Sequence, residues 1–290
     1  MSGIEKHVIF HAPRYVLAHE AASRYLARWG TAPRAGVEGA KTYAPGYLCH
    51  LGNDRASRPV YAVELPVTAA YIALRACRGL VQAYGQDPAR LCFLPAGIVY
   101  RLVGAMPGDD ELRSCEGPVS LHGTHLPPVG SDAPKVFYHC FGSAHTSVTA
   151  ANIHLGRLPT GRRPSVAEVM AAPGFDRARH SDIGTVIFMG TDCDGKDIYV
   201  VGLGHYERTI RTCLDGVMQA LQLPPGMAIF VNAIHGSGVF VRAGGYLSRR
   251  LGLVRLGRPL AAYGIIQNYS LYVRAAEQGR RWRPRMGTPG

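Results

Sequence analysis

MGTDCDGKDIYVVGL, residues 189–203, can be laid over LGNDRASRPVYAVEL, residues 51–65, of the same chain. At a constant shift of 138 residues, Gly190 meets Gly52, Asp192 meets Asp54, Tyr199 meets Tyr61, Val201 meets Val63 and Leu203 meets Leu65. Each stretch is a pair of β-rich runs around a polar turn, the pattern of a hairpin. A hairpin that recurs at so long a period reads as a duplicated domain, not as a solenoid repeat.

The match continues outward. The shift of 138 persists through a helical segment to LCFLPA (91–96) over IFVNAI (229–234). GIVYRLVGAMPGDDELRSCEGPVSLHG (97–123) then lies over GVFVRAGGYLSRRLGLVRLGRPLAAYG (238–264), now shifted by 141, the extra residues being His235, Gly236 and Ser237. More loosely, HVIFHAPRYVLAHEAASRYLARWG (7–30) resembles KVFYHCFGSAHTSVTAANIHLG (135–156). The order in each half is strand, helix, hairpin, helix, strand, helix. KVFYHC reads as a buried strand, TSVTAANIHLG as a helix ending at glycine, HYERTIRTCLDGVMQALQLPPG as an amphipathic helix stopped by Pro-Pro-Gly, and MAIFVNAI as another buried strand.

Strands without strict alternation, separated by helices, predict an α/β fold of two homologous, Rossmann-like, three-layer halves. Each half has a mainly parallel sheet with a hairpin attached. The expected domains are an N-terminal repeat (1–123), a proline-containing linker (124–135), a C-terminal repeat (136–278) and a basic tail (279–290), read as unstructured beyond the last helix.

The bulk composition fits a folded globular protein: 290 residues, 47% hydrophobic and 18% charged. Apolar runs such as AIFVNAI stay far below the roughly 20 residues that span a bilayer. The N-terminus places His, Arg and Glu where a secretory apolar core would lie, so a cytoplasmic protein without a membrane partner is expected. Seven cysteines, scattered without CxxC pairs, argue against a disulfide framework or a structural zinc site. The formal charge of +12 is almost wholly arginine, the side chain best suited to phosphate and carboxylate groups.

In parallel α/β sheets ligands sit beyond the carboxyl ends of strands, where CFGSAHTS (140–147) and NAIHGSG (232–238) both fall. A loop that leaves a strand and opens a helix presents unpaired amides at the positive end of the helix dipole, a cradle for phosphate. Gly142 permits close approach, and Ser143, Thr146 and Ser147 either cap the helix or bind the anion. The loop is not a Walker motif, since no Gly-Lys-Ser/Thr follows Gly142. It is not a Cys-x5-Arg phosphatase loop either, since Thr146 stands where that arginine would be. Cys140 is the candidate nucleophile or ligand contact, against the plainer role of a packed strand-end cysteine, and His145 is the candidate acid or base.

GGYLSRRLGLVRLGRP (244–259) offers Arg249, Arg250, Arg255 and Arg258 as a phosphate clamp, or else as a solvated basic face. Asp192 and His235 are secondary candidates, although Asp192 and Asp194 read first as turn residues of TDCDGK. His139, His145, His154, His205 and His235 carry no short metal-ligand signature such as HExxH, so no metal is assigned.

The first half serves as an internal control. Cys140, Gly142, Ser143, His145 and Ser147 face Ala12, Arg14, Tyr15, Leu17 and His19, while the four arginines face Gly108, Asp109, Ser114 and Gly117. One functional site in the second half, beside a degenerate first copy, is the simplest reading.

YHCFGSAHTSVTAANIHLGRLP (138–159), FMGTDCDGKDIYVVG (188–202) and GGYLSRRLGLVRLGRPL (244–260) resemble the signature segments of the bacterial family called domain of unknown function 3189, found mainly in spore-forming Firmicutes. The resemblance spans roughly residues 135–275 and implies no established activity, cofactor or catalytic residue. The expected function is binding of a phosphorylated small molecule or nucleotide at the 140–147 loop, with phosphoryl transfer or hydrolysis as the enzyme reading. The alternative is a non-catalytic regulatory protein that binds nucleic acid or a partner linked to sporulation.

Overall fold

The structure is a computed structural model that describes residues 6–31, 43–100, 102, 107, 133–234 and 238–284. Within them the chain forms eight α-helices and two four-stranded, mainly parallel sheets, one in each half. The first half runs β1 (His7–Ala12), α1 (Tyr15–Trp29), β2 (Cys49–Asn53), β3 (Pro59–Glu64), α2 (Val67–Ala83) and β4 (Leu91–Pro95). Its sheet order is β2-β3-β1-β4, with β1 parallel to both neighbours and β2 antiparallel to β3.

The second half runs β5 (Lys135–Cys140), α3 (Thr146–His154), α4 (Val166–Ala171), β6 (Val186–Thr191), β7 (Asp197–Gly202), α5 (Glu207–Ala220) and β8 (Ala228–Asn232). Three helices follow: α6 (Val239–Arg250), α7 (Val254–Gln267) and α8 (Tyr269–Arg281). The sheet order β6-β7-β5-β8 repeats that of the first half, with β6 the antiparallel edge.

Both central strands are buried on two faces, which is why they read as apolar runs without alternation. The pleat still sorts their side chains. Val136 and Tyr138 enter the cluster formed with α3, α7 and α8, while Phe137 points to the other face and stacks on Tyr199 and Phe230 at 4.9 and 4.7 Å. In the first sheet Val8, Phe10 and Ala12 meet Ala18, Tyr25 and Trp29 of α1.

The glycines matched between the two hairpins have a physical reason to be glycine. Gly52 and Gly190 both sit where the strand register slips, with φ of +151° and +139°, a conformation that side chains with a Cβ rarely adopt.

The chain divides into two compact units, Met1–His122 with Arg208–Leu223, and Gly123–Glu207 with Pro224–Gly290. Most of α5 therefore belongs to the first unit, where Cys213 Sγ lies 3.9 Å from Cys77 Sγ of α2. In the second unit α6 crosses α7 at very close range. A Cβ on Gly244 or Gly257 would strike the backbone of the opposite helix, and one on Gly264 would stand 2.6 Å from Val241 N.

One expectation is corrected. Residues 279–284 are not a loose tail: α8 continues to Arg281, and Arg280 donates to the carbonyls of Ile153 and His154, closing the C-terminal end of α3. A guanidinium facing free helix carbonyls satisfies groups that would otherwise stay unpaired. Residues 285–290, most of the 124–135 linker and the first-half positions 108, 109, 114 and 117 lie outside the described residues. Among the described residues no helix is long and apolar enough to cross a membrane.

Candidate functional site

The chain leaves the central strand β5 at Cys140 and re-enters helix at Thr146. Hydrogen bonds from both neighbouring segments clamp the exit: Ala233 N donates to His139 O (2.9 Å), Leu203 N to Cys140 O (2.9 Å) and Gly204 N to Phe141 O (3.0 Å). From β5 the chain proceeds to β6 and β7 on one side and only later to β8 on the other. The loop thus lies at the carboxyl end of the strand where the connections diverge, the usual ligand position of open α/β sheets. Gly202, opposite Cys140 in the register, makes room for it. A Cβ there would stand 3.0 Å from both Gly142 Cα and Phe141 O.

The candidate residues Cys140, Gly142, Ser143, His145, Thr146 and Ser147 converge on one buried turn. Cys140 Sγ accepts the Ser143 amide (3.2 Å) and shares a hydrogen bond with Ser147 Oγ (3.0 Å). The Tyr272 phenol of α8 is pushed well above its ordinary range, by burial first and by the charge of a Cys140 thiolate second. Ser143 has φ +52°, a left-handed conformation that costs a non-glycine residue roughly 1 kcal/mol or more. Its Oγ is buried and has no hydrogen-bond partner among the described residues. The first turn of α3 has no side-chain cap, so Ser143, Thr146 and Ser147 do not serve it as caps. The N–H groups of that turn have no intrahelical acceptors.

His145 is held from a distance in sequence. Its Nε2 pairs with Asp176 Oδ1 at 2.9 Å, Asp176 N donates to Ala144 O at 2.8 Å, and Ser248 Oγ of α6 donates to Asp176 Oδ2 at 2.5 Å. Asp176 also has positive φ (+54°), so the loop and the segment that holds His145 each contain a left-handed non-glycine residue, Ser143 and Asp176. Sequence reasoning missed Asp176, Ser248 and Tyr272. Pro173-Gly174 just before Asp176 signals a turn, but nothing in the sequence links that turn to a loop 31 residues earlier.

The arginines are placed differently. Arg258 donates to the carbonyls of Met170 (2.6 Å) and Phe175 (3.5 Å), fastening the segment that carries Asp176. It acts on the loop through that segment and not as a clamp. Arg250 and Arg255 are exposed. The side chain of Arg249 and the whole of His235 lie outside the described residues.

Asp192 belongs to a separate network at the opposite end of α3. It accepts the amides of Asp194 (2.9 Å) and Lys196 (2.8 Å), as a turn aspartate does. Burial outweighs the nearby carboxylate and holds the His154 pKa below its ordinary value. A neutral His154 therefore donates Nε2–H to Asp192 Oδ2 (2.8 Å) and accepts the Tyr138 hydroxyl at Nδ1 (2.6 Å). Lys196 Nζ completes the set, 3.1 Å from Asp192 and 2.8 Å from Asp194. The first half has the same device: Asp54 accepts the amides of Ala56 and Arg58, the Arg58 guanidinium (2.6 Å) and the Tyr25 hydroxyl (2.9 Å). An aspartate used alike in both halves is a hairpin anchor.

The histidines are dispersed. His139 Nε2 stands 3.8 Å from Glu207, His205 packs edge-on against Phe141, and among the described residues no three His, Cys, Asp or Glu side chains gather as metal ligands would.

Residues 135–281 match the family model described as "Protein of unknown function (DUF3189)". No curated protein and no solved structure matches the chain.

Proposed function

Because the chain belongs to the DUF3189 family, and the matched segment contains every group of the site just described, we propose that the purpose of that segment is binding of a phosphorylated small molecule or nucleotide at the 140–147 loop. The observation that carries this reading is the Ser143 hydroxyl, buried, left without a partner among the described residues and held on a strained backbone. Leaving a buried hydroxyl unpaired costs about 1–3 kcal/mol, and a phosphoryl oxygen would remove that cost. The uncapped first turn of α3 supplies further donors and a partial positive charge on the same loop.

The loop from Gly142 to Ser147 is buried, which favours a compact phosphoryl group over a polymer. Asp176 would fix the ring orientation and tautomer of His145, as an acid–base role in phosphoryl transfer or hydrolysis requires. Cys140, hydrogen-bonded to Ser147, is the nucleophile candidate of that finer reading. The matched order of strands supports an origin of the chain by internal duplication, with the first copy having lost the site.

The test is a thermal-shift screen of the full chain with inorganic phosphate, nucleotides and sugar phosphates. A site binder raises Tm by mass action, and Gly142→Val, which fills the turn, removes the rise. A rise that survives Gly142→Val, or no rise with any phosphate compound, would sink the proposal.

A further inference from the structure

Between Asp215 and Glu277 the chain contains six arginines and no acidic residue. The α6–α7 hairpin lies wholly within that stretch. Its outer face is as apolar as it is basic. On α6, Val239, Arg242, Tyr246 and Arg250 recur at helical spacing and are all exposed, Val239 by 78% and Tyr246 by 57%. Phe240 meets Tyr263 of α7 edge-on with centroids 5.4 Å apart, so the exposed faces of the two helices join. At the tip, LGLVRL (251–256) exposes Leu251, Leu253, Val254 and Leu256 around Arg255.

We propose that this face is a peripheral docking surface for an anionic lipid bilayer. The aliphatic tip and aromatic stripe would enter the headgroup region, and Arg242, Arg250 and Arg255 would lie among lipid phosphates. Exposed large apolar side chains clustered on one face need an occupant. Three observations select this one. Arginine with no ion-pair partner among the described residues calls for an anionic surface and disfavours a second copy of the same cationic face. The exposed side chains at the tip are aliphatic, which suits acyl chains, while the exposed aromatics, Phe240, Tyr246 and Tyr263, lie on the helices behind it, as side chains at a headgroup layer do.

The third observation is the backbone of the tip. Leu251 N donates to Tyr246 O, Leu253 N to Leu247 O, Val254 N to Gly252 O, Leu256 N and Gly257 N to Leu253 O. With the Gly252 and Arg255 amides the exceptions, the turn satisfies its own N–H groups, which can then leave water at little cost. The glycine crossing of Gly244, Gly257 and Gly264 holds both helices at backbone contact and presents the face as one rigid element.

No membrane-spanning segment is involved. Hydropathy along the sequence reports spans, whereas this face is assembled from two helices and a turn, each of them mixed in composition. The surface is distinct from the 140–147 loop, and the proposal does not rest on phosphate binding there.

The experiment is co-sedimentation of the full chain with vesicles of phosphatidylcholine mixed with phosphatidylglycerol, against pure phosphatidylcholine, over a range of salt. Binding is expected on the anionic vesicles, weakening with salt. Arg255→Gln should lower the partition coefficient about fivefold, the loss of one basic contact near an anionic surface. Leu253→Ser with Leu256→Ser should lower it at least as much. All three positions are exposed, and unchanged circular dichroism confirms that the variants remain folded. Absence of binding to anionic vesicles overturns the proposal. So does binding that loses affinity with Arg255→Gln but not with the leucine variants, which would mark a general polyanion site. A dimer dissolved by the leucine variants in a chain that ignores vesicles also overturns it, in favour of a second copy on this face.

Discussion

Gly279 is the position where the smallest perturbation tests the most structure. It lies in α8, and a Cβ placed there would fall well inside contact distance of the Tyr138 hydroxyl, and 3.0 Å from both His154 Nδ1 and Val136 Cγ1. On helix propensity alone, Gly279→Ala should stabilise by up to ~1 kcal/mol. Against that, the methyl forces the Tyr138 hydroxyl away from His154 and leaves a buried polar group unpaired, at about 1–3 kcal/mol. Overpacking adds about 1–3 kcal/mol. The unfavourable effects win, and a net loss of about 3 kcal/mol is expected.

Tyr138→Phe supplies the control, because removing the hydroxyl removes the principal clash. In that background Gly279→Ala should cost about 1 kcal/mol, a coupling of about 2 kcal/mol between the two positions. Urea unfolding of the four proteins of the cycle, followed by circular dichroism, measures it. A Gly279→Ala protein as stable as its parent, or an equal loss in both backgrounds, would refute the buried Tyr138–His154–Asp192 network.

Further outcomes follow from other sites. Ser143→Ala should leave stability without ligand unchanged or slightly raised, since Oγ has no partner to lose, while abolishing any phosphate-induced Tm rise. A loss of stability without ligand would mean that the hydroxyl is structural. Asp54→Ala should destabilise by about 3 kcal/mol by taking the carboxylate from buried Arg58, and Asp192→Ala by about 2–3 kcal/mol by unpairing His154 Nε2 and the turn amides, with Lys196 keeping Asp194. Asp192→Ala should also leave phosphate affinity unchanged in a titration. His7 and His11 have pKa values lowered to about 4, both by burial first and His7 also by Arg90 and His50. Their folded pKa values lie below the unfolded 6.5, so the unfolded chain takes up more protons between the two. Their contribution is intact above about pH 6.5 and is lost as pH falls toward 4, by about 3 kcal/mol each at most. His7→Phe should flatten that acid limb in denaturant midpoints measured across pH, and an unchanged slope would contradict the buried neutral state of His7.

What the sequence disclosed and what it hid divide along a physical line. Local chemistry was legible. The Asp-Gly turn of the β6–β7 hairpin and the Pro-Pro-Gly stop after α5 act through neighbours a few residues away. The strand-to-helix loop at Cys140 was legible for the same reason. The side chains that decide its geometry were not. Asp176 is joined to His145 across 31 residues and to Ser248 across 72, and such pairings have no period to reveal them. Arg258 and Arg280 looked like free charge because sequence does not say where unpaired carbonyls lie. Both are spent on main-chain oxygens. Asp192 looked like a site candidate because turn anchors and ligands use the same residue type, and only its counterpart Asp54 separates the two roles.

The claim that the 140–147 loop receives a phosphoryl group is tested most directly by backbone amide NMR of the full chain during titration with inorganic phosphate and then with a nucleotide. The account predicts saturable shifts at Ser143, Thr146 and Ser147 that vanish in Gly142→Val. Shifts confined to Arg242, Arg250 and Arg255, with the loop amides unmoved at saturating phosphate, would contradict it.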